Sequence, residues 1–494
     1  MALHRFTHAL HLLELWIFNN PRKVLALIAL LTVFFALRIP GLKIYTDFAD
    51  LLPQQHPYIQ LHNSIKDDFG GANVLVVGIE FDDGDLFTNE RLALIDRVTQ
   101  AVDNLPGVNH NLVSSVTHRN SRKIWLTEVG SINSQPYFDA TKGPYSRDQL
   151  ASMRADVSAN PRVFGPLVAP DLKMALVKAQ LIEGQLDYEN TFKQLRELRD
   201  EVAAQGVTLY ATGQPVLVGW AYTYMDQILQ IFAFTVLTML ALLIFHFRKA
   251  YGVLIPLGGV LISTIWGLGI ISLLGYNLDP LGLVIPFLIA ARAMSHGVQL
   301  VERYYAEAAT LGNGSAAAKA TFDSLFRPGS LGVVSDAIGL LLISVGSIPL
   351  NTHLGIYASL WAITVVFSVL VGVPLLLSIL PTPREPRLKE TVLRHIGASS
   401  SRIVSQPGNA TKLLFVAAVA VVLGMAAASQ VQIGDSEPGS PILYPDHDYN
   451  ISSRVVNERF PGSEELYVVA ETDKKGGLKR PDVLKALADF QAHM

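Results

Sequence analysis

With 494 residues, 50% of them hydrophobic and 16% charged, and a mean hydropathy of +0.33, the chain reads as a polytopic membrane protein with a substantial water-facing part. A formal net charge of -3 gives no hint of a nucleic-acid partner, and no basic tract suggests one, so none is expected. There is no cysteine, so disulfides, thiolate-bound zinc and thiol nucleophiles are excluded as well.

In chain order, the first apolar run is Val24 to Leu37, behind Arg22 and Lys23. No small-x-small cleavage site follows it, so residues 1–39 read as a leading segment and an uncleaved first transmembrane helix. A polar region, 40–222, comes next. Its pattern predicts a strand over Asn73–Phe81, a helix capped by Thr88 and running to Leu105, and a strand over Val108–Thr117. Residues 118–170 read as loop-rich, with a short helix after Ser146. A strand over Lys173–Ile182, a helix over Tyr188–Gln205 and a strand over Val207–Thr212 follow. That β-α-β-β-α-β order is the ferredoxin-like signature, giving an α+β domain. His56 and His62 read as solvated loop residues, and Gly70-Gly71 as a turn. No Walker-type Gly-Lys-Ser/Thr occurs, which argues against a nucleotide-driven pump. Nothing in the region groups into a catalytic set, so no enzyme activity, metal or cofactor is expected.

Apolar runs resume at Ile228–Phe245, Gly252–Leu274, Leu281–Leu300, Leu331–Ile348 and Leu354–Leu380, a five-helix bundle over 223–381. A polar linker, 382–411, leads to a seventh run, Leu413–Ala428, within 412–429. Basic residues mark alternate loops: Arg248 and Lys249, then Arg303, Lys319 and Arg327, then Arg384, Arg387, Lys389 and Arg394. The intervening Tyr276–Asp279 and Pro349–His353 loops carry neither lysine nor arginine. By the positive-inside rule the N-terminus is cytoplasmic and the 40–222 domain lies outside.

The chain also repeats itself. Asn20, Lys23 and Leu25 return as Asn409, Lys412 and Leu414, each set opening an apolar helix. His56-Pro57-Tyr58 returns as His447-Asp448-Tyr449, and Phe69-Gly70-Gly71 with Leu75-Val76-Val77 as Phe460-Pro461-Gly462 with Leu466-Tyr467-Val468. One repeat is then a helix, a soluble domain and five more helices. Residues 430–494 would begin a second soluble domain, and the chain is expected to be part of a longer, two-repeat protein.

Ionisable residues stand out inside the apolar runs. Arg292, His296, Gln299 and Arg303 fall at i, i+4, i+7 and i+11, one helical face, with Ser295 beside them. A second segment, beginning near Pro328, carries Ser335 and Asp336, with Gly332, Gly339 and Gly346 at helical spacing read as a close-packing stripe. A charge at mid-bilayer costs roughly 2.5 to 3.5 kcal/mol even on the lenient insertion scale, so such residues face a partner or water. At 1.5 Å per residue, Arg292 and His296 lie about 16 and 10 Å above Arg303, and Asp336 about 12 Å above Pro328, so their depths overlap. Two readings stay open. Asp336 is a protonatable carboxylate tuned by Arg292 and His296, or Arg292 and Asp336 form a static ion pair fixing helix register. Arg303, Tyr304 and Glu307 read as interface anchors.

At this point the chain resembles the resistance–nodulation–division (RND) superfamily, in its MMPL and hydrophobe-exporter branch, related to the sterol-sensing domain. The resemblance is carried by Asp47-Phe48, Leu51-Leu52-Pro53 and His56-Pro57 after the first helix, and by Leu105-Pro106-Gly107-Val108. Thr212-Gly213-Gln214-Pro215, Arg303-Tyr304, Ala337-Ile338-Gly339-Leu340 and Ile348-Pro349-Leu350 with Gly355 complete it. It implies a proton-motive-force-driven exporter of hydrophobic or lipid-like substrates in the bacterial inner membrane, with a periplasmic porter domain. Membrane lipids, a periplasmic accessory protein and a homo-oligomer are its implied partners. One departure matters. The family's fourth helix commonly carries Asp-Tyr eight residues before Arg-Tyr, and here that register holds Ser295-His296, while Asp336 sits where the family often has threonine. The departure keeps alive an alternative of a different class, a lipid- or sterol-sensing scaffold that binds without pumping.

Overall fold

The computed structural model describes residues 16–43, 48–69, 73–128, 130–182, 187–383, 392–431, 438–463, 468–472 and 474–493. In chain order it runs α1 (Pro21–Ala36), α2 (Pro57–Phe69), β1 (Val74–Phe81), α3 (Asn89–Asp103), β2 (Arg122–Leu126), β3 (Ile132–Pro136), α4 (Arg147–Ser158) and β4 (Met174–Gln180). There follow α5 (Tyr188–Ala203), β5 (Val207–Thr212), α6 (Gln214–Thr223), α7 (Met225–Phe247), α8 (Ala250–Leu274), α9 (Val284–Leu311) and α10 (Gly314–Leu342). Last come α11 (Pro349–Val365), α12 (Gly372–Ile379), α13 (Val392–Ser405), α14 (Asn409–Ala428), α15 (Asp448–Arg459) and α16 (Pro481–His493). The chain divides into two compact units, Met1–Ser64 with Ala221–Gly434, and Ile65–Trp220 with Asp435–Met494. Asp47, Gly70-Gly71, the linker residues Arg384, Arg387 and Lys389, and Leu466-Tyr467 lie outside the described residues.

In the unit formed by Ile65–Trp220 with Asp435–Met494, β1 pairs antiparallel with β4 on one side and β5 on the other, Val77 standing opposite both Val177 and Ala211. Side chains alternate across the sheet. Leu75, Val77 and Ile79 enter a core with Leu92, Ile95 and Val98 of α3 and Phe192, Leu195 and Leu198 of α5. Thr88 caps α3, its Oγ1 accepting from Arg91 N at 3.3 Å, and Ser146 with Gln149 forms a capping box on α4. Gly213 holds φ +103°, and any side chain there would run into the Val74 backbone.

Val76, Met174 and Leu176, on the opposite face, pack with Val456 and Phe460 at the end of α15. Charges rim that contact. Arg199 forms a two-pronged pair with Asp448, and Arg459 reaches Asp171 and, at 2.9 Å, Glu80. Tyr210 donates to the same Glu80 at 3.0 Å; burial, with the carboxylate beside it, pushes its hydroxyl up to about 12. So α15, far along the chain, closes the otherwise open face of this sheet. α15 and α2 begin alike. His447 Nδ1 accepts from Tyr449 N at 3.1 Å just as His56 Nδ1 accepts from Tyr58 N at 3.2 Å.

Three expectations for this region change. Val108–Thr117 is not a strand: it touches β4 only through isolated bridges at Val108–Leu181 and Ser114–Lys178. Asn109 turns the chain aside, its side chain accepting from Asn111 N at 3.2 Å to start a 3₁₀ turn at His110–Leu112. The loop-rich 118–170 stretch contains the β2–β3 hairpin. His56 is an exposed residue just ahead of α2, as expected, but His62 is not a loop residue: it lies within α2, its Nε2 buried and without a hydrogen-bond partner among the described residues.

Among the described residues, seven helical spans are long and apolar enough to cross a membrane, each overlapping one of the expected apolar runs. In the other unit α8 packs against α1, α7, α9 and α11, while α10 packs against α9, α11 and α12. Trp361, Tyr304, Tyr305 and Tyr357 fill the bundle core, and Trp266 donates to Thr32 Oγ1 at 2.9 Å. Tyr304 is therefore a core residue and not an interface anchor, while Arg303 and Glu307 pair with each other at 2.6 Å. No residue of α14 is buried.

Candidate intramembrane site

Two helices build the site. α9 ends at Gly312, whose φ of +65° makes a left-handed cap, and Asn313 starts α10 by accepting from Ser315 N and Ala316 N. That short turn makes α9 and α10 an antiparallel hairpin. Arg292 is then about 30 Å before the turn and Asp336 about 33 Å beyond it, so register alone brings them level. The fifth segment does not begin at Pro328, which lies inside α10. Depth measured from the shared turn reaches the same match.

Arg292 Nε donates to Asp336 Oδ2 at 2.6 Å. Gly332, one turn before Asp336, leaves room for the guanidinium, because a Cβ there would sit 3.2 Å from Arg292 Nη2. The other two glycines do not form a packing stripe: Gly339 has open space where a side chain would go, and Gly346 lies past the end of α10. The pair borders a cavity of about 430 Å³ walled by Leu288, Val333, Ser335, Gly339, Ala362 and Val365. Directly after Val365 the helix loosens into a π segment, Val366–Val371, a form often found at functional positions. Protein leaves both charged side chains partly uncovered, 44% for Arg292 and 40% for Asp336, so they face outward from the bundle.

The other named residues divide. Ser335 lines the cavity with the pair. His296 turns into the bundle, 9% exposed, its Nε2 buried and without a hydrogen-bond partner among the described residues. Ser295 and Gln299 lie on the exposed stripe of α9 with Arg292 and make no hydrogen bond among the described residues. The cavity was absent from the sequence reading; its signal was the pair of glycines, Gly332 and Gly339, flanking an intramembrane aspartate.

Comparison with known proteins places the chain. The MMPL family profile matches residues 126–407, more than half of it. The chain belongs to the MMPL family. A relative from Methanocaldococcus jannaschii, named only as a membrane protein, MJ1562, is 26% identical over 351 residues, which cover 68% of this chain and 85% of the relative. This MMPL protein is thus a mostly helical membrane protein, and the matched span contains both Arg292 and Asp336.

Proposed function

We propose that this MMPL protein is an RND-type exporter, not an enzyme, that uses the proton-motive force to move hydrophobic or lipid-like substrates out of the bacterial inner membrane. Its N-terminus is cytoplasmic, and its soluble unit, a ferredoxin-like porter domain with a degenerate second strand, faces the periplasm. The observation that carries this reading is the Arg292–Asp336 pair beside a cavity within the membrane-spanning hairpin. A carboxylate opposite a guanidinium has two electrically different states. With Asp336 ionised the pair holds α9 to α10. One added proton leaves Arg292 a lone cation, so the two states favour different positions of the hairpin. Crossing 100 mV supplies about 2.3 kcal/mol per charge, enough to shift such an equilibrium by more than tenfold.

The test is reconstitution of the full-length protein in liposomes under an imposed pH gradient, following lumenal pH and the exit of labelled lipid together. Coupled fluxes are expected, and Asp336→Asn at normal expression should abolish both. Full transport by Asp336→Asn overturns the reading. Lipid binding without either flux would favour the sensing scaffold.

A further inference from the structure

The β2–β3 hairpin presents an unusual surface for a soluble unit. Its register sets Ile124 against Ser134 and Leu126 against Ile132, so Arg122, Ile124, Leu126, Ile132 and Ser134 share one face. The three aliphatic side chains there are 66%, 71% and 74% exposed. Water-facing hairpins ordinarily carry polar residues on an open face, and contiguous exposed apolar side chains mark a binding surface.

The apolar face runs into a cavity. Ile124, Arg122 and Lys123 form part of the wall of a pocket of about 660 Å³, completed by Tyr137, Asp156, Asn160 and Arg162 among others. Three cations and one carboxylate leave the lining with a net charge of +2. Asp156 is already engaged by Lys123 at 2.7 Å. Arg122 donates only to neutral oxygens, Ser134 Oγ at 2.6 Å and Ser134 O at 2.9 Å, besides the Arg119 carbonyl. The exposed Arg162 guanidinium has no hydrogen-bond or ion-pair partner among the described residues. Two guanidiniums without a counter-charge are a receptor for phosphate or carboxylate oxygens.

We propose that this cavity and hairpin together bind an anionic amphiphile of the phospholipid class. Its phosphate group meets Arg162 and Arg122 in the cavity, and its acyl chains lie along Ile124, Leu126 and Ile132. The charge selects the headgroup and the continuous aliphatic strip selects the tail. A peptide strand docking on the hairpin would need only the backbone edges and would leave the basic cavity unused. The proposal rests on the lipid-like substrate class argued above and specifies where the soluble unit holds that substrate.

The experiment uses the full chain in a nonionic detergent, without any ion gradient. Calorimetric titrations compare soluble dihexanoyl phosphatidylglycerol, dihexanoyl phosphatidylcholine and inorganic phosphate. Saturable binding of the anionic lipid is expected, with the zwitterionic lipid at least about tenfold weaker, the share of one charge-assisted contact. Arg162→Gln, which disturbs no internal hydrogen bond, should weaken phosphatidylglycerol binding by about tenfold or more. Leu126→Ser with Ile132→Ser should do likewise while leaving inorganic phosphate binding unchanged; Ile132→Ser alone serves if the double variant misfolds. Equal binding of both lipids, unchanged binding by Arg162→Gln, or phosphate bound as tightly as the lipid would each overturn the proposal. Transport at the wild-type rate by Arg162→Gln would also overturn it while leaving the pump intact. Binding as expected in a protein that moves no protons would overturn the pump and leave this site standing.

Discussion

Removing one member of the Arg292–Asp336 pair, then both, separates a working proton site from a static clamp. The donor–acceptor distance is 2.6 Å and each side chain is less than half exposed. Charges about 4 Å apart attract by about 1 kcal/mol in water and about 4 kcal/mol at an effective dielectric of 20. An unpaired cation at mid-bilayer costs roughly 2.5 to 3.5 kcal/mol, whereas a pair in bulk water contributes about 0 to 1 kcal/mol. Because the outward face of this hairpin lies within a membrane-spanning segment, the low-dielectric figures apply. Asp336→Asn and Arg292→Gln should each lower stability by about 3 kcal/mol, and the double variant should return to within about 1 kcal/mol of the parent. Equilibrium unfolding in mixed micelles with increasing SDS measures the cycle, and proteoliposome flux is followed on the same four proteins. Stability should recover in the double variant while proton-coupled flux does not. Recovery of flux would show that the pair only fixes register. Losses below 1 kcal/mol for both single variants would show that water fills the cavity and that the membrane argument fails.

Other consequences concern the unit that holds the β1–β4–β5 sheet. Burial pushes His118 below its usual value, the nearby Asp103 opposing and Arg119 adding to the shift. The unfolded chain therefore takes up this proton first, and stability falls as pH drops below about 6.5. His118→Gln should flatten the denaturant midpoint between pH 7.5 and 5.5, and an unchanged slope would refute the assignment. Asp96 is shifted the other way, raised by burial against the Gln100 hydrogen bond and further by Asp139. Its contribution is lost as pH rises through the carboxylate range, so Asp96→Asn should stabilise at pH 7 and bring nothing at pH 3. In α15, Val456→Ala removes two fully buried methyl groups and should cost about 2 kcal/mol. Faster proteolysis between α14 and α15 would report that loss. Gly213→Ala forces a side chain against Val74 at positive φ and should destabilise by about 1 to 3 kcal/mol in the same denaturant assay.

Which parts of the molecule could be read from the sequence follows from what each signal encodes. Long apolar runs encode membrane helices almost without context, because lipid leaves the backbone no other partner, and all seven spans fall where the runs do. Strand positions near β1, β4 and β5 were legible from short apolar runs between turn residues. Val108–Thr117 carries the same composition, yet Asn109 satisfies its own neighbouring backbone and breaks the ladder. The hairpin at 122–136 was illegible for the opposite reason. Its aliphatic residues are exposed, so alternation there carries no burial signal. The same limit applies in the membrane. Helical spacing put Arg292 and His296 on one face, but a face spans more than one environment: Arg292 lies outward against Asp336 while His296 enters the core. Periodicity says which residues share a side of a helix. The α9–α10 turn, whose closeness only the full register of both helices reveals, says which residue on the neighbouring helix they meet. That is why a carboxylate and a guanidinium 44 residues apart could be matched in depth from the sequence, and why their cavity could not be seen there.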